Sequence, residues 1–303
     1  MATIREIRRR IKSVKNIAQV TRAMQAVSAS KMRRAQDAVL ATRPYAQRAW
    51  TLLTHLAAQR GEKEERHPLL QARPVNRAAL ILLTSDRGLC GAFNTNIIRL
   101  AQRYVAALPV PVDVVTVGRK GRDFMLRSGQ SLVAEFSHLP AQPRLLDVTP
   151  IAHVALNGFL DGTYDAVWMA YTDFINTLRQ EPTVKRLLPL LPTELEQQAM
   201  AEYVQETATT EISEYIYEPD PRAILDAVVP RFTELQIYQA VLESLASEHS
   251  ARMVAMRNAT ESAEELAQDL QLSYNKARQR AITLELMDIA GGAEALAQAR
   301  AAH

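Results

Sequence analysis

The sequence predicts an α/β fold in which a long antiparallel coiled coil of the N- and C-terminal helices flanks an inserted α/β domain. Three observations carry that expectation. Both ends of the 303-residue chain run far without a helix breaker, the middle alternates short apolar blocks with helix-period segments, and polar proline-bearing stretches separate the parts.

Residues 1–43 contain neither glycine nor proline. They are mostly good helix formers, so a helix well beyond the usual three or four turns is expected. Ile4, Ile7, Ile11 and Val14 step by three and four, and Ile17, Val20, Met24 and Val27 continue the stripe with its phase shifted. Such a seam needs a partner helix. Pro44 is the place for a kink, and residues 45–60 still read as helical. Residues 61–76 are charged, broken by prolines and without periodicity, which marks a linker.

A different texture follows. The blocks 78–83 (AALILL), 111–117 (PVDVVTV) and 166–171 (AVWMAY) have the continuous apolar character of strands buried on both faces. Residues 95–107, 119–127 and 149–160 between them have helical spacing. Strands alternating with helices predict a Rossmann-like domain with a largely parallel sheet. A second linker, rich in acids and threonine, spans residues 192–221.

Beyond it, residues 231–290 again lack glycine and proline. A helix of that length would extend roughly 90 Å, about three times the width of a small domain, so it requires a partner along its length. Its apolar residues keep three-and-four spacing: Leu235, Tyr238, Leu242 and Leu245, then Met253 and Met256, then Leu266, Leu270, Tyr274, Ala277, Ala281 and Leu284. The expected division is therefore 1–60 and 222–303 as paired helices, 75–192 as the α/β domain and 193–221 as linker.

Charge supports the pairing. The net charge is only +3, yet basic residues crowd the first fifty positions, Arg8, Arg9, Lys31, Arg33 and Arg34 among them, while Glu261, Glu264, Glu265 and Asp269 mark the C-terminal helix as acidic. A basic helix also raises nucleic-acid binding, but no aromatic residue interrupts it before Tyr45 and its seam demands burial. A partner-facing basic face is the better reading, and no nucleic acid is expected. One cysteine excludes an internal disulfide, and six scattered histidines offer no metal-ligand spacing. No leader-like apolar region and no run of about eighteen apolar residues is present, so membrane association is expected only through partners.

The loop TSDRGLCGAFN, residues 84–94, follows the first strand, where α/β sheets often bind ligands. It matches neither dinucleotide nor phosphate-loop glycine patterns, and no neighbouring histidine activates Cys90. The reading favoured over a nucleotide or thiol site is a turn. Gly88 and Gly91 permit it, Cys90 is a buried apolar group, and Asp86 and Arg87 pair or face a neighbouring subunit. Gly118 and Gly121 are explained by a helix starting after a strand. The rival classes are an α/β enzyme using this loop and a coiled-coil nucleic-acid binder.

Several segments together resemble the γ subunit of F-type ATP synthases. They are IREIRRRIKSVKNIAQVTRAMQAVSASKMRRAQ from Ile4, SDRGLCGAFN from Ser85, INTLRQEPTVKRLLPL from Ile175, YEPDP from Tyr217, LASEHSARMVAMRNAT from Leu245 and ITLELMDIAGGAEAL from Ile282. In the last, Ile282, Thr283, Glu285, Asp288, Gly292, Ala293 and Ala295 fit the family's signature I-T-x-E-x-x-[DE]-x-x-x-G-A-x-[SAKR]. The resemblance spans the chain end to end.

It implies a non-catalytic central rotor shaft without cofactor or metal. The paired helices would sit in a ring of three α and three β subunits, and the α/β domain would form a foot touching ε and the c-subunit ring. The protein would be peripheral on the cytoplasmic side of the membrane. The resemblance implies β-contacting roles for Met24, Arg252, Arg278, Gln279, Thr283 and Glu285, and makes Arg8, Arg9, Lys31, Arg33 and Arg34 candidates to meet an acidic loop on β. Residues 192–213 lack the cysteine pair of the chloroplast branch, which excludes thiol gating of that kind.

Overall fold

The computed structural model describes residues 3–58, 67–190 and 221–301. The expected linker at 193–221 lies outside these residues except for Pro221, as do residues 61–66 of the first linker. The chain divides into two compact units, one of Met1–Val27 with Met253–His303 and the other of Ser28–Arg252.

The larger unit is built on a sheet of β1 (Ala78–Leu83), β2 (Val112–Val117), β3 (Leu132–Phe136), β4 (Ala166–Phe174) and β5 (Gln180–Leu188), in the order β3-β2-β1-β4-β5. The first four strands are parallel and β5 runs antiparallel to β4. Every residue of β1 and β2 is buried, as their unbroken apolar runs predict. Along β1 the side chains alternate. Ala78, Leu80 and Leu82 pack with Ile97, Ile98 and Ala101 of α2 (Phe93–Ala107) and Met125 of α3 (Arg119–Arg127). Ala79, Ile81 and Leu83 join the cluster built by α4 (Leu145–Leu160) and by Leu225, Val229, Ile237 and Val241 of α5 (Pro221–Ala301). The sheet is thus covered on both faces.

Two strands are absent from the sequence expectation. β3 is short with only half-buried alternate residues, and β5 carries Pro182 and four charged or amide side chains, so neither shows an apolar block. Both are edge strands, where such residues are tolerated. Residues 68–70, expected in a linker, form a 3₁₀ turn whose Leu69 is fully buried. α1 (Ile4–Ala58) runs through Pro44, which removes a helical donor at a place where both Pro44 and Leu40 one turn earlier are exposed.

The smaller unit is an antiparallel helix pair. On α1 from Ile4 to Thr21 the buried or half-buried positions are Ile4, Ile7, Ile11, Val14, Ala18 and Thr21, and on α5 they include Met253, Met256, Thr260, Ala263, Ala267, Leu270, Tyr274 and Ala277. Both series hold strict three-and-four spacing. This corrects the phase-shifted stripe expected on α1. Ile17, Val20 and Val27 are 52, 58 and 56% exposed and Met24 is half-buried, because Ala18 and Thr21 keep the seam in its original phase. Leu266 likewise faces solvent at 49% while Ala263 and Ala267 pack inside. Beyond Ala277, every α5 side chain from Arg278 to Ala293 is exposed, Ala281 and Leu284 included.

Candidate functional site

The strand order reverses at β1. From it the chain moves outward to β2 and β3, then returns to place β4 on the other side. In open α/β sheets the crevice at the carboxyl ends of two such strands is the usual ligand position. Here that crevice lies between the loop after β1 and the end of β4, and α5 occupies it.

The loop is internally braced. The Ser85 amide donates to Asn94 Oδ1 at 3.0 Å, Asn94 Nδ2 donates to Ser85 Oγ at 2.7 Å, and the Ser85 hydroxyl lies 2.7 Å from the Arg87 carbonyl. Cys90 is 2% exposed, with Asn94 Nδ2 at 3.2 Å from its sulfur. Asp86 does not pair with Arg87. Its carboxylate accepts the Arg119 amide at 3.0 Å, capping α3, and the His138 amide at 2.9 Å. The Arg87 side chain is exposed.

The glycine expectation is corrected in one respect. Gly91 has φ of 59°, the left-handed region, but the other left-handed residue of the turn is Leu89 at 61°, not Gly88. Gly88 has no positive φ and open space around it; its carbonyl oxygen is what the structure uses. Gly118 is the demanding position. At φ of 98° it lies so close to the end of β1 that an added Cβ would stand 2.1 Å from the Thr84 carbonyl oxygen.

Residues 247–252 of α5, fewer than two helical turns, engage this end of the sheet. Ser247 donates to the Thr172 carbonyl of β4 at 3.2 Å, and Ser250 donates to the Thr177 carbonyl in the β4–β5 turn at 2.8 Å. Arg252 reaches the loop after β1. Its Nη2 lies 3.3 Å from the Gly88 carbonyl and 3.4 Å from that of Arg87, and its Nη1 lies 2.7 Å from Glu248 Oε1 and 3.3 Å from His249 Nδ1. Arg252, expected at a partner surface, is 9% exposed and spends its guanidinium inside the chain.

Burial sets the electrostatics of this cluster. It pushes the Glu248 carboxyl above the usual range, with Asp86 adding to the rise, against the opposing pull of Arg252 and Lys31. His249 is pushed down to about 4, first by burial and then by the Arg252 and Lys31 charges. The imidazole is therefore neutral at pH 7, with Nδ1 free to accept from Arg252. Glu248, His249, Ser247 and Ser250 were missed as site residues. The Glu248–Arg252 spacing of four, which places both on one helix face, was the available signal.

The remaining expected residues are not gathered at this place. Arg8 and Arg9 are exposed and line an open groove of the helix pair with Lys12, Lys15, Gln271 and Tyr274. In the larger unit, Lys31 is half-buried and Arg33 and Arg34 are exposed. Arg278, Gln279, Thr283 and Glu285 are exposed on the unpaired stretch of α5, where the Thr283 hydroxyl bonds back to the Gln279 carbonyl at 3.0 Å. Ile282, Asp288, Gly292 and Ala293 share that exposure, and the helix continues through Gly291 and Gly292.

No described helix is long and apolar enough to cross a membrane. Among the described residues no group of three or more His, Cys, Asp or Glu is placed to hold a metal ion.

Long helices that leave Ile17, Val20 and Val27, and further on Ile282, Leu286 and Ile289, open to solvent are the build of a subunit that completes its burial against other chains. The ATP synthase family profile matches residues 3–296. ATP synthase gamma chains of Roseiflexus castenholzii and Chloroflexus aurantiacus are 52% and 50% identical, each over 98% of this chain and 100% and 99% of their own length. Among solved structures, a chain of the Euglena gracilis mitochondrial ATP synthase, in an assembly of OSCP, F1 and c-ring, aligns over 97% of this chain and 94% of its own with a TM-score of 0.64 at 20% identity. The chain belongs to the ATP synthase gamma-chain family.

Proposed function

We propose that this chain is the central rotor shaft of a proton-driven ATP synthase, coupling rotation of a membrane-embedded c-subunit ring to nucleotide chemistry in β subunits while catalysing none itself. Full-length identity of about half to ATP synthase gamma chains is the observation that carries this reading. The crevice filled by Ser247, Ser250 and Arg252 supports the non-catalytic part, since the place where a sheet of this order binds ligands is taken by the chain's own helix.

The mechanism is mechanical. A shaft whose faces differ offers each surrounding β subunit a different surface at each angle, and differential contacts shift the β conformations among states that bind ADP and phosphate, form ATP and release it. The exposed stripe of Ile17, Val20 and Val27 and the exposed stretch from Arg278 are the surfaces available for it. Arg278, Gln279, Thr283 and Glu285 would form charge-assisted hydrogen bonds to β at one angle and lose them at the next, with Met24, farther along the helix pair, as a packing contact and the basic face of Arg8, Arg9, Lys31, Arg33 and Arg34 meeting acidic side chains. The α/β domain would meet ε and the c ring, holding the chain as a peripheral protein on the cytoplasmic side.

Mixing the chain with its α and β subunits tests this. The expected product holds one chain per three α and three β and turns over ATP, while the chain alone binds neither nucleotide nor DNA. Another stoichiometry, or tight nucleotide binding by the chain alone, would overturn it.

A further inference from the structure

The loop after β1 has an elaborate internal brace and no role in chemistry, which leaves open what the brace is for. Its hydrogen bonds turn the carbonyls of Arg87 and Gly88 toward α5, and Leu89 accepts a left-handed backbone to do so. The guanidinium of Arg252 is received by those carbonyls on one side and by Glu248 and His249 on the other. Two and five residues back along the same helix, Ser250 fastens to the β4–β5 turn and Ser247 to the end of β4. Gln180 of β5 in turn donates to Ser250 Oγ at 3.3 Å.

We propose that the loop Ser85–Asn94 is a socket that locks α5 to the carboxyl end of the sheet, with Arg252 as its key and Glu248 as the counter-charge, so that helix and sheet turn together under load. A buried charge pair suits the task. Apolar contacts between helix and sheet resist separation but not sliding, whereas directional bonds from a rigid planar fork to fixed carbonyls resist both. Removing one member of a buried pair strands the other, so the lock fails sharply. Arg252 acts here as a positioning residue.

The torque part rests on the rotor reading, and the lock does not, so the test has two arms. In the purified full-length chain, hydrogen exchange at the Ser85 and Phe93 amides is expected to quicken by about tenfold in Glu248→Ala and Arg252→Ala, the loss of one charge-assisted hydrogen bond in local opening. Arg252→Lys, which keeps charge without the fork, should quicken it too and serves if Arg252→Ala does not fold. Arg33→Ala is the control. Exchange unchanged in Glu248→Ala and Arg252→Lys overturns the lock, whatever the chain does in a complex. In the assembled enzyme carrying Glu248→Ala, ATP hydrolysis is expected to persist while proton pumping per ATP falls. An unchanged pumping ratio despite faster loop exchange refutes the torque role and leaves the rotor reading standing.

Discussion

The side-chain oxygens of Thr21 and Thr260 meet 2.7 Å apart, buried in the seam of the helix pair. Each also faces carbonyls of its own helix, Thr21 those of Ile17 and Ala18 and Thr260 that of Met256. Two hydroxyl protons cannot serve all of these, so one hydroxyl donates across the seam and the other back along its helix. A polar pair amid apolar seam positions favours one register over its neighbours. Thr21→Val alone is expected to cost about 1 kcal/mol and the double Thr21→Val, Thr260→Val less than the sum of the singles, because both hydroxyls then leave together. Urea unfolding followed by far-ultraviolet circular dichroism measures all three variants.

Seam and surface positions separate in the same assay. Ala18→Leu should destabilise the chain by about 1–3 kcal/mol, since Ala18 is buried in the seam and a larger side chain there must displace packed neighbours. Ile17→Ser, on the exposed stripe, should fall within about 0.5 kcal/mol.

This contrast shows what the sequence could and could not convey. Period and length were legible in Ile4, Ile7, Ile11 and Val14, where apolar residues hold the seam. At Ala18 and Thr21 small residues hold it while isoleucine and valine face outward, so a hydrophobicity pattern points to the wrong face. The same holds in the sheet: β1 and β2 announced themselves as apolar runs, and the edge strands β3 and β5 did not. At the loop after β1, Cys90 and the glycines drew notice, but the group that explains the turn is Arg252, far along the chain. Only the fold brings it there.

Gly118→Ala is expected to be among the costliest substitutions in the larger unit, roughly 3 kcal/mol or more, because a disallowed backbone angle and a collision with the Thr84 carbonyl combine. Gly129→Ala, with φ of 70° and open space, should cost about 1–2 kcal/mol. Equal losses on denaturant unfolding would show that the close approach to β1 does not matter.

His249 makes the larger unit sensitive to mild acid. Its folded-state value of about 4 lies below the ordinary 6.5, so the unfolded chain takes up a proton that the folded chain refuses. The stability it contributes is present above pH 6.5 and is lost as pH falls toward 4, amounting to about 2 kcal/mol by pH 5. Glu248, raised by burial, acts in the opposite sense: its contribution is present at low pH and lost as pH rises through its raised value. Comparing the chain with His249→Gln isolates the histidine, and the variant should lose less stability between pH 7 and pH 5.

The central claim is that this chain turns within a ring of catalytic subunits. A bead attached through Arg127→Cys, on the exposed end of α3 and far in chemistry from buried Cys90, reports that motion in a surface-fixed complex with α and β. The expected result is unidirectional rotation of the bead on adding ATP, stopping when ATP is exhausted. Sustained ATP hydrolysis with the bead stationary, in complexes shown to hold the labelled chain, would contradict it.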